Sequence, residues 1–115
     1  MRLHLSTWQR AGLIVALGQV RGNVATLRLA LEALEAVEWS REEQEEIEYQ
    51  QENGRAKWNE AGAGRVWEVE VGGKVARFMR GVVEGYGQWP VGKVVEVFDL
   101  EEQLGENADF RTGTD

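Results

Sequence analysis

An α+β fold is predicted by three observations. Apolar residues recur at helical spacing through the first 40-odd positions, alternate between residues 49 and 71, and return to helical spacing from residue 74. The expected order is an N-terminal helical hairpin, a short third helix, a three-stranded antiparallel sheet and two C-terminal helices. The 115 residues supply one domain over 1–105, with 106–115 as a polar tail.

His4 sits beside a terminus that is expected to fray, and no element is expected ahead of Ser6. Ser6-Thr7-Trp8-Gln9 has capping-box spacing and opens the first helix, where Trp8, Leu13, Ala16 and Leu17 form the apolar face and Gly18 a left-handed stop. After the connection Gln19 to Gly22, Asn23 caps a second helix whose Val24, Leu27, Leu31 and Leu34 are expected to be one buried stripe. Arg28 and Glu32 lie one turn apart on its surface. Ser40 and Glu43 make a second capping box, opening a short, peripheral helix anchored by Ile47 alone.

The period then changes to two. Asn53-Gly54 suits a type I′ turn, which sets Glu52 opposite Arg55, Gln50 opposite Lys57 and Tyr49 opposite Trp58. A Gly62-Ala63-Gly64 loop leads to a third strand, with Trp67, Val69 and Val71 inward and Glu68 and Glu70 toward water. Gly72-Gly73 ends the sheet. The next helix carries Val75, Phe78, Met79, Val82 and Tyr86 on its apolar face, with Lys74, Arg77 and Arg80 outside it, and Gly85 and Gly87 terminate it. Pro90 suits the first turn of a last helix with the stripe Val91, Val94, Val95 and Phe98. The β-branched run at 94–98 also reads as a strand, but the proline before it and Leu100 to Gly105 after it favour helix.

The chemical vocabulary is narrow. The chain has no cysteine and one histidine, which removes most metal sites, thiol chemistry and histidine-based triads. Phosphate loops and dinucleotide fingerprints are missing as well, so no catalytic residue, metal ligand or cofactor is assigned and a non-enzymatic protein is expected. The longest apolar run, Leu13 to Leu17, is far short of the roughly 20 residues of a membrane span, and no signal peptide is read. Lack of cysteine fits a reducing compartment, so cytoplasm is the expected location.

Net charge is −7, and residues 32–52 hold nine glutamates against Arg41 alone. The rest of the chain is close to neutral. Direct nucleic-acid binding is not expected from such a surface, because phosphate contacts need Lys and Arg. A basic partner or mimicry of a polyanion suits it, and a solvated helix face explains it most simply.

Of five tryptophans, Trp8, Trp58 and Trp67 fall on expected core faces. Trp39 and Trp89 sit at helix boundaries, where half-exposed aromatics anchor partners or ligands. Arg21-Gly22-Asn23, with Arg28 one turn on, places donors at a helix N-terminus that could hold an anion, although an ordinary loop and cap explain it more simply. Glu68 and Glu70 share a strand face, a placement far more often solubilising than catalytic. Lys74, Arg77 and Arg80 make a small basic strip suited to surface pairing.

The order of elements, with Gly22-Asn23-Val24-Ala25-Thr26-Leu27-Arg28, Ser40-Arg41-Glu42-Glu43-Gln44 and Trp58-Asn59, resembles a group of small phage or prophage proteins over roughly residues 5–100. That group has no established activity, so the resemblance transfers no site residue. It implies a viral accessory protein, expressed in a bacterial cell, of the kind that binds a host enzyme or defence component. The leading expectation is therefore a non-enzymatic homo-oligomer that binds a host or phage macromolecule. The alternative is an oligomer that encloses a small anionic or nucleotide-like ligand between the Arg21-Gly22-Asn23 corner and exposed tryptophans.

Overall fold

Four helices start where a side-chain oxygen takes up a free amide of the first turn. Ser6 accepts from the Gln9 N–H, Asn23 from Thr26, Ser40 from Glu43 and Asn59 from Gly62. Both capping boxes close, Gln9 accepting from the Ser6 N–H at 2.8 Å and Glu43 from the Ser40 N–H at 2.9 Å. The computed structural model describes residues 2–52 and 55–114, apart from the side chains of residue 52 and residues 106–114. The order is β1 (Arg2–Ser6), α1 (Thr7–Gly18), α2 (Val24–Val37), α3 (Arg41–Glu46), β2 (Gln50–Glu52), β3 (Arg55–Lys57), α4 (Glu60–Ala63), β4 (Val66–Glu70), α5 (Gly73–Gly85), a 3-10 turn (Val91–Lys93) and α6 (Val94–Thr114). The fold is α+β, as the change of period predicts.

The sheet differs from the expected three strands. The described strands form two antiparallel pairs, β1 with β4 and β2 with β3. The reason is apolar matching. Leu3 and Leu5, both fully buried, oppose Val69 and Trp67, whereas β3 offers only Ala56 between Arg55 and Lys57. The segment ahead of the first helix, where no element is expected, is thus a core strand. Its outer edge is covered as well, since Gln103 of α6 accepts from the His4 N–H at 2.9 Å and donates to the His4 carbonyl at 2.8 Å. In the second pair, Glu52 opposes Arg55 and Gln50 opposes Lys57, as the expected hairpin register requires. That ladder stops short of Tyr49 and Trp58, and the Asn53-Gly54 turn lies outside the described residues.

The main core joins Leu3, Leu5 and Val69 to Leu13 and Leu17 of α1, Val75 and Met79 of α5, and Leu100 and Leu104 of α6. A smaller cluster holds Ala11, Trp39, Ile47 and Trp67. Two expected stripes face the other way. Helix α2 buries Ala30, Ala33 and Val37, small residues that let it approach closely, and leaves Val24, Leu27 and Leu31 exposed at 65%, 47% and 57%; Leu34 is half-buried. Because α2 is apolar on nearly every side, helical periodicity could not select the face. Helix α6 likewise buries Val97, Leu100 and Leu104 and exposes Val95 and Phe98, and Val91 of the preceding 3-10 turn is exposed too.

Helix α5 follows its expected face more closely, burying Val75 and Met79 with Ala76 and Val83. Arg80 is not outside it: a Cβ on Gly105 of α6 would come within 2.6 Å of the Arg80 guanidinium carbon, so that side chain lies across the α5–α6 seam. Gly18 remains helical and Gln19 is the C-cap, without a left-handed residue. Residues 62–64, expected to be loop, include the end of α4. The left-handed position falls instead at Glu48, with φ 50°, just past α3. Residues 106–114, expected to be a tail, continue the α6 backbone helix.

The contact that ties α1, α2 and α3 together is Arg10, only 5% exposed. Its Nε donates to the Val37 carbonyl at 2.7 Å and its Nη2 to the Glu38 carbonyl at 2.8 Å, while Nη1 and Nη2 fork onto Glu43 at 3.0 and 2.9 Å. The guanidinium carbon lies 4.2 Å from the centre of the Trp39 ring and 5.0 Å from that of Trp67. Burial would push the Glu43 carboxyl up, but hydrogen bonds from Arg10 and Ser40 outweigh it and hold the group below its ordinary value. Its contribution to stability is therefore present above the ordinary carboxylate range and lost as pH falls through the lowered folded value. Arg10→Met should cost about 3–5 kcal/mol in urea unfolding at neutral pH, because a half-buried carboxylate and two carbonyls lose their donor. The stability gap between the native protein and Glu43→Gln should narrow on acidification.

Candidate recognition cleft

Trp8, Gly12 and Val15 follow one another at one-turn spacing along α1 and form one wall of an open cleft of about 610 Å³. Arg55 and Ala56 of β3, with Trp58 just beyond it, form the second wall, and Tyr86, Gln88, Trp89 and Pro90 the third. Trp89 is placed by its Nε1–H, which donates to the Val83 carbonyl at 2.8 Å. Its ring lies 4.8 Å from Tyr86, edge to face, and 5.8 Å from Trp8. Lys93 stands 5.6 Å above the Trp8 ring while pairing with Glu96 at 3.3 Å. A Cβ on Gly12 would come within 3.0 Å of the Trp89 ring, so the missing side chain is what lets that ring settle against α1.

A second, shallower cleft shares Tyr86 and Gln88 with the first and is lined by Ala16, Gln19, Val20 and Arg21. Arg21 and Arg55 are exposed, and neither makes an ion pair among the described residues. In contrast, Arg2, Arg10, Arg41, Arg65 and Arg80 all face carboxylates. The aromatic row is thus bounded by two exposed arginines in a chain of net charge −7.

The six residues singled out from the sequence are divided by the fold. Arg21, Gly22, Asn23 and Arg28 are exposed around the start of α2, where the Asn23 side chain is occupied in capping Thr26. Trp89 is half-buried and central to the aromatic cleft, one residue wall away from Arg21 through Tyr86. Trp39, expected half-exposed, is only 8% exposed and packs 5.2 Å from both Tyr49 and Trp67 beneath Arg10. It belongs to the smaller core. Trp8 and Trp58, read as core, are half-buried cleft walls, and Trp67 alone of those three is buried. The signal for Trp8 was the glycine one turn after it, a gap on an otherwise bulky helix face.

Several carboxylates elsewhere are engaged. Glu68 and Glu70 lie on the wet face, where Arg2 approaches them at 3.9 and 3.4 Å. A third cleft of about 830 Å³ contains Glu96 and Asp99. There the Gln9 amide donates to the Glu96 carbonyl and to Asp99, and the Ser6 hydroxyl reaches Glu96 at 3.3 Å, fastening α6 to the start of α1. On the outer α5–α6 surface, a hydrogen bond with Glu84 raises the Glu101 carboxyl above its ordinary value. Among the described residues no three metal-ligating side chains converge, and no helix is long and apolar enough to cross a membrane.

No protein-family model matches this chain, and searches of curated proteins and of solved structures find no match either. Gly12→Ala isolates the central contact of the cleft. The substitution should gain about 0.8–1 kcal/mol of helix propensity while pushing Trp89 outward, so thermal stability should stay nearly level. Tryptophan emission should nevertheless shift as the ring moves; unchanged emission would contradict the placement of Trp89 against α1.

Proposed function

We propose that this protein is a non-catalytic recognition protein that holds an extended segment of a partner protein in the aromatic cleft. One observation carries the reading. Trp8, Trp58, Tyr86 and Trp89 line one cleft, all half-buried, with Arg55 at its side and Arg21 just past Tyr86. Half-buried rings gain most when an apolar or aromatic side chain covers them, and aromatic clefts of this kind suit extended or proline-containing segments. The two arginines add preference for acidic side chains in that segment. A nucleic-acid backbone fits less well, because the glutamates of the remaining surface repel it. The reading suits a cytoplasmic accessory protein of phage type that acts by occupying a host component.

A second reading, a small anionic ligand with a planar ring, is favoured by the adjacency of Trp89, Tyr86 and Arg21. The two are separated by screening the protein on an array of acidic peptides containing proline or aromatic residues, and by titrating nucleotides against tryptophan fluorescence. The first reading expects peptide binding that weakens roughly tenfold or more in Arg55→Glu and in Trp58→Ala, and persists in the remote Lys74→Glu. Peptides that bind equally well to all three variants would remove the cleft as the site. Nucleotide quenching without peptide binding would replace the first reading by the second.

A further inference from the structure

The outward face of α2 is apolar where a solvated helix would be polar. Val24, Leu27 and Leu31 follow one another at three- and four-residue spacing, and each is about half exposed or more. Charge along the same helix is segregated. Arg21 and Arg28 stand toward its start, and Glu32, Glu35 and Glu38 toward its end. We propose that this face is an interface between two copies of the chain, with the α2 helices packed antiparallel about a two-fold axis near Leu27–Leu31.

The orientation follows from the charges. In an antiparallel pair centred there, Leu27 meets Leu31 of the second copy and Val24 comes level with Leu34 of the second copy, within one residue of Glu35 on the stripe side. The same flank then sets Arg28 beside Glu32 of the second copy, and the two-fold repeats that pair. Arg21 falls within reach of the acidic end in the same way. A parallel pair would put that flank of the two copies on opposite sides of the seam, so Arg28 would find no Glu32 across it and the pairing would be lost. The aliphatic stripe gives the pair its contact area and the charges give it direction.

The other exposed apolar row, Val91, Val95 and Phe98, lacks this self-complementarity. Its surroundings on α6 are Glu96, Asp99 and Glu102, and the one lysine there is already paired with Glu96. Two copies meeting on that row would press acid against acid, so α2 is the face for a second copy. With three apolar side chains from each partner the contact is small, so the dimer is reversible and dilutes apart. This inference rests on α2 alone and does not depend on what fills the aromatic cleft.

Sedimentation across a dilution series tests it, together with cysteine variants in a chain that has no cysteine of its own. The native protein should pass from dimer to monomer on dilution. Leu27→Asp, at an exposed position, should keep its circular dichroism and raise the dissociation constant about tenfold or more. Arg28→Glu and Glu32→Arg should each weaken self-association and pair with one another when mixed. Under oxidation, Val24→Cys mixed with Glu35→Cys should form the crosslinked pair, and Val24→Cys alone should not. A monomer throughout the series, a dimer indifferent to Leu27→Asp, or Val24→Cys linking to itself would each overturn the proposal.

Discussion

A buried guanidinium holds this fold together. Arg10 lies over two adjoining indole rings, and it uses its donors on two backbone carbonyls at the end of α2 and on the carboxylate of Glu43. A cation at that depth is costly unless its hydrogen bonds are met, and here the meeting is what positions the neighbouring elements. The carbonyls of Val37 and Glu38 are among the unpaired acceptors at a helix C-terminus, so Arg10 closes α2 where no glycine is present to do so. Glu43 completes the capping box of α3 with the same carboxylate, so one acid orders a helix start and neutralises a core cation.

From this arrangement the remaining geometry of α1 follows. With Arg10 turned toward α2 and α3, and Leu13 and Leu17 turned into the main core, the side bearing Trp8, Gly12 and Val15 faces the hairpin and the 86–90 connection. Helix α1 therefore serves two cores and one cleft. Its start is held from a fourth direction, since Trp67 Nε1–H donates to the Thr7 hydroxyl, which donates in turn to the Gly62 carbonyl at 2.6 Å. Trp67 is also covered by Arg65, whose guanidinium carbon is 4.0 Å from its ring and which pairs with Glu46. Much of the glutamate-rich segment is thereby engaged within the molecule: Glu43, Glu45, Glu46 and Glu48 all have partners, and Glu32, Glu35 and Glu38 remain on the exposed side.

The parts of the fold legible in the sequence were those set by local chemistry. Capping boxes at Ser6 and Ser40, the Asn23 cap, the alternation of β4 and the helical reading of 94–98 depend on neighbours a few residues away, and all are present. What local chemistry cannot choose is a partner. Nothing near Leu3 and Leu5 says that Val69 and Trp67 will cover them. In α2, only the small side chains of Ala30 and Ala33 distinguish the buried face from a row of bulkier aliphatics, and packing decided for closeness over size. The cleft was half legible. Trp89 and Arg21 were visible as boundary residues, whereas Trp8 and Trp58 looked like core because a pattern of spacing records which face a ring is on and not how much of it is covered.

The clamp of Gln103 on His4 spans 99 residues, and the bond from Trp67 to Thr7 spans 60. During synthesis Leu3 and Leu5 therefore emerge well before their cover, since both β4 and α6 must follow them. During translation α1 can coil early on its own capping box, while the strand ahead of it waits for β4 and α6. Closure of the β1–β4 ribbon, and of the α6 clamp over it, is thus a late, long-range event, in which an early strand is completed only by elements that follow much later.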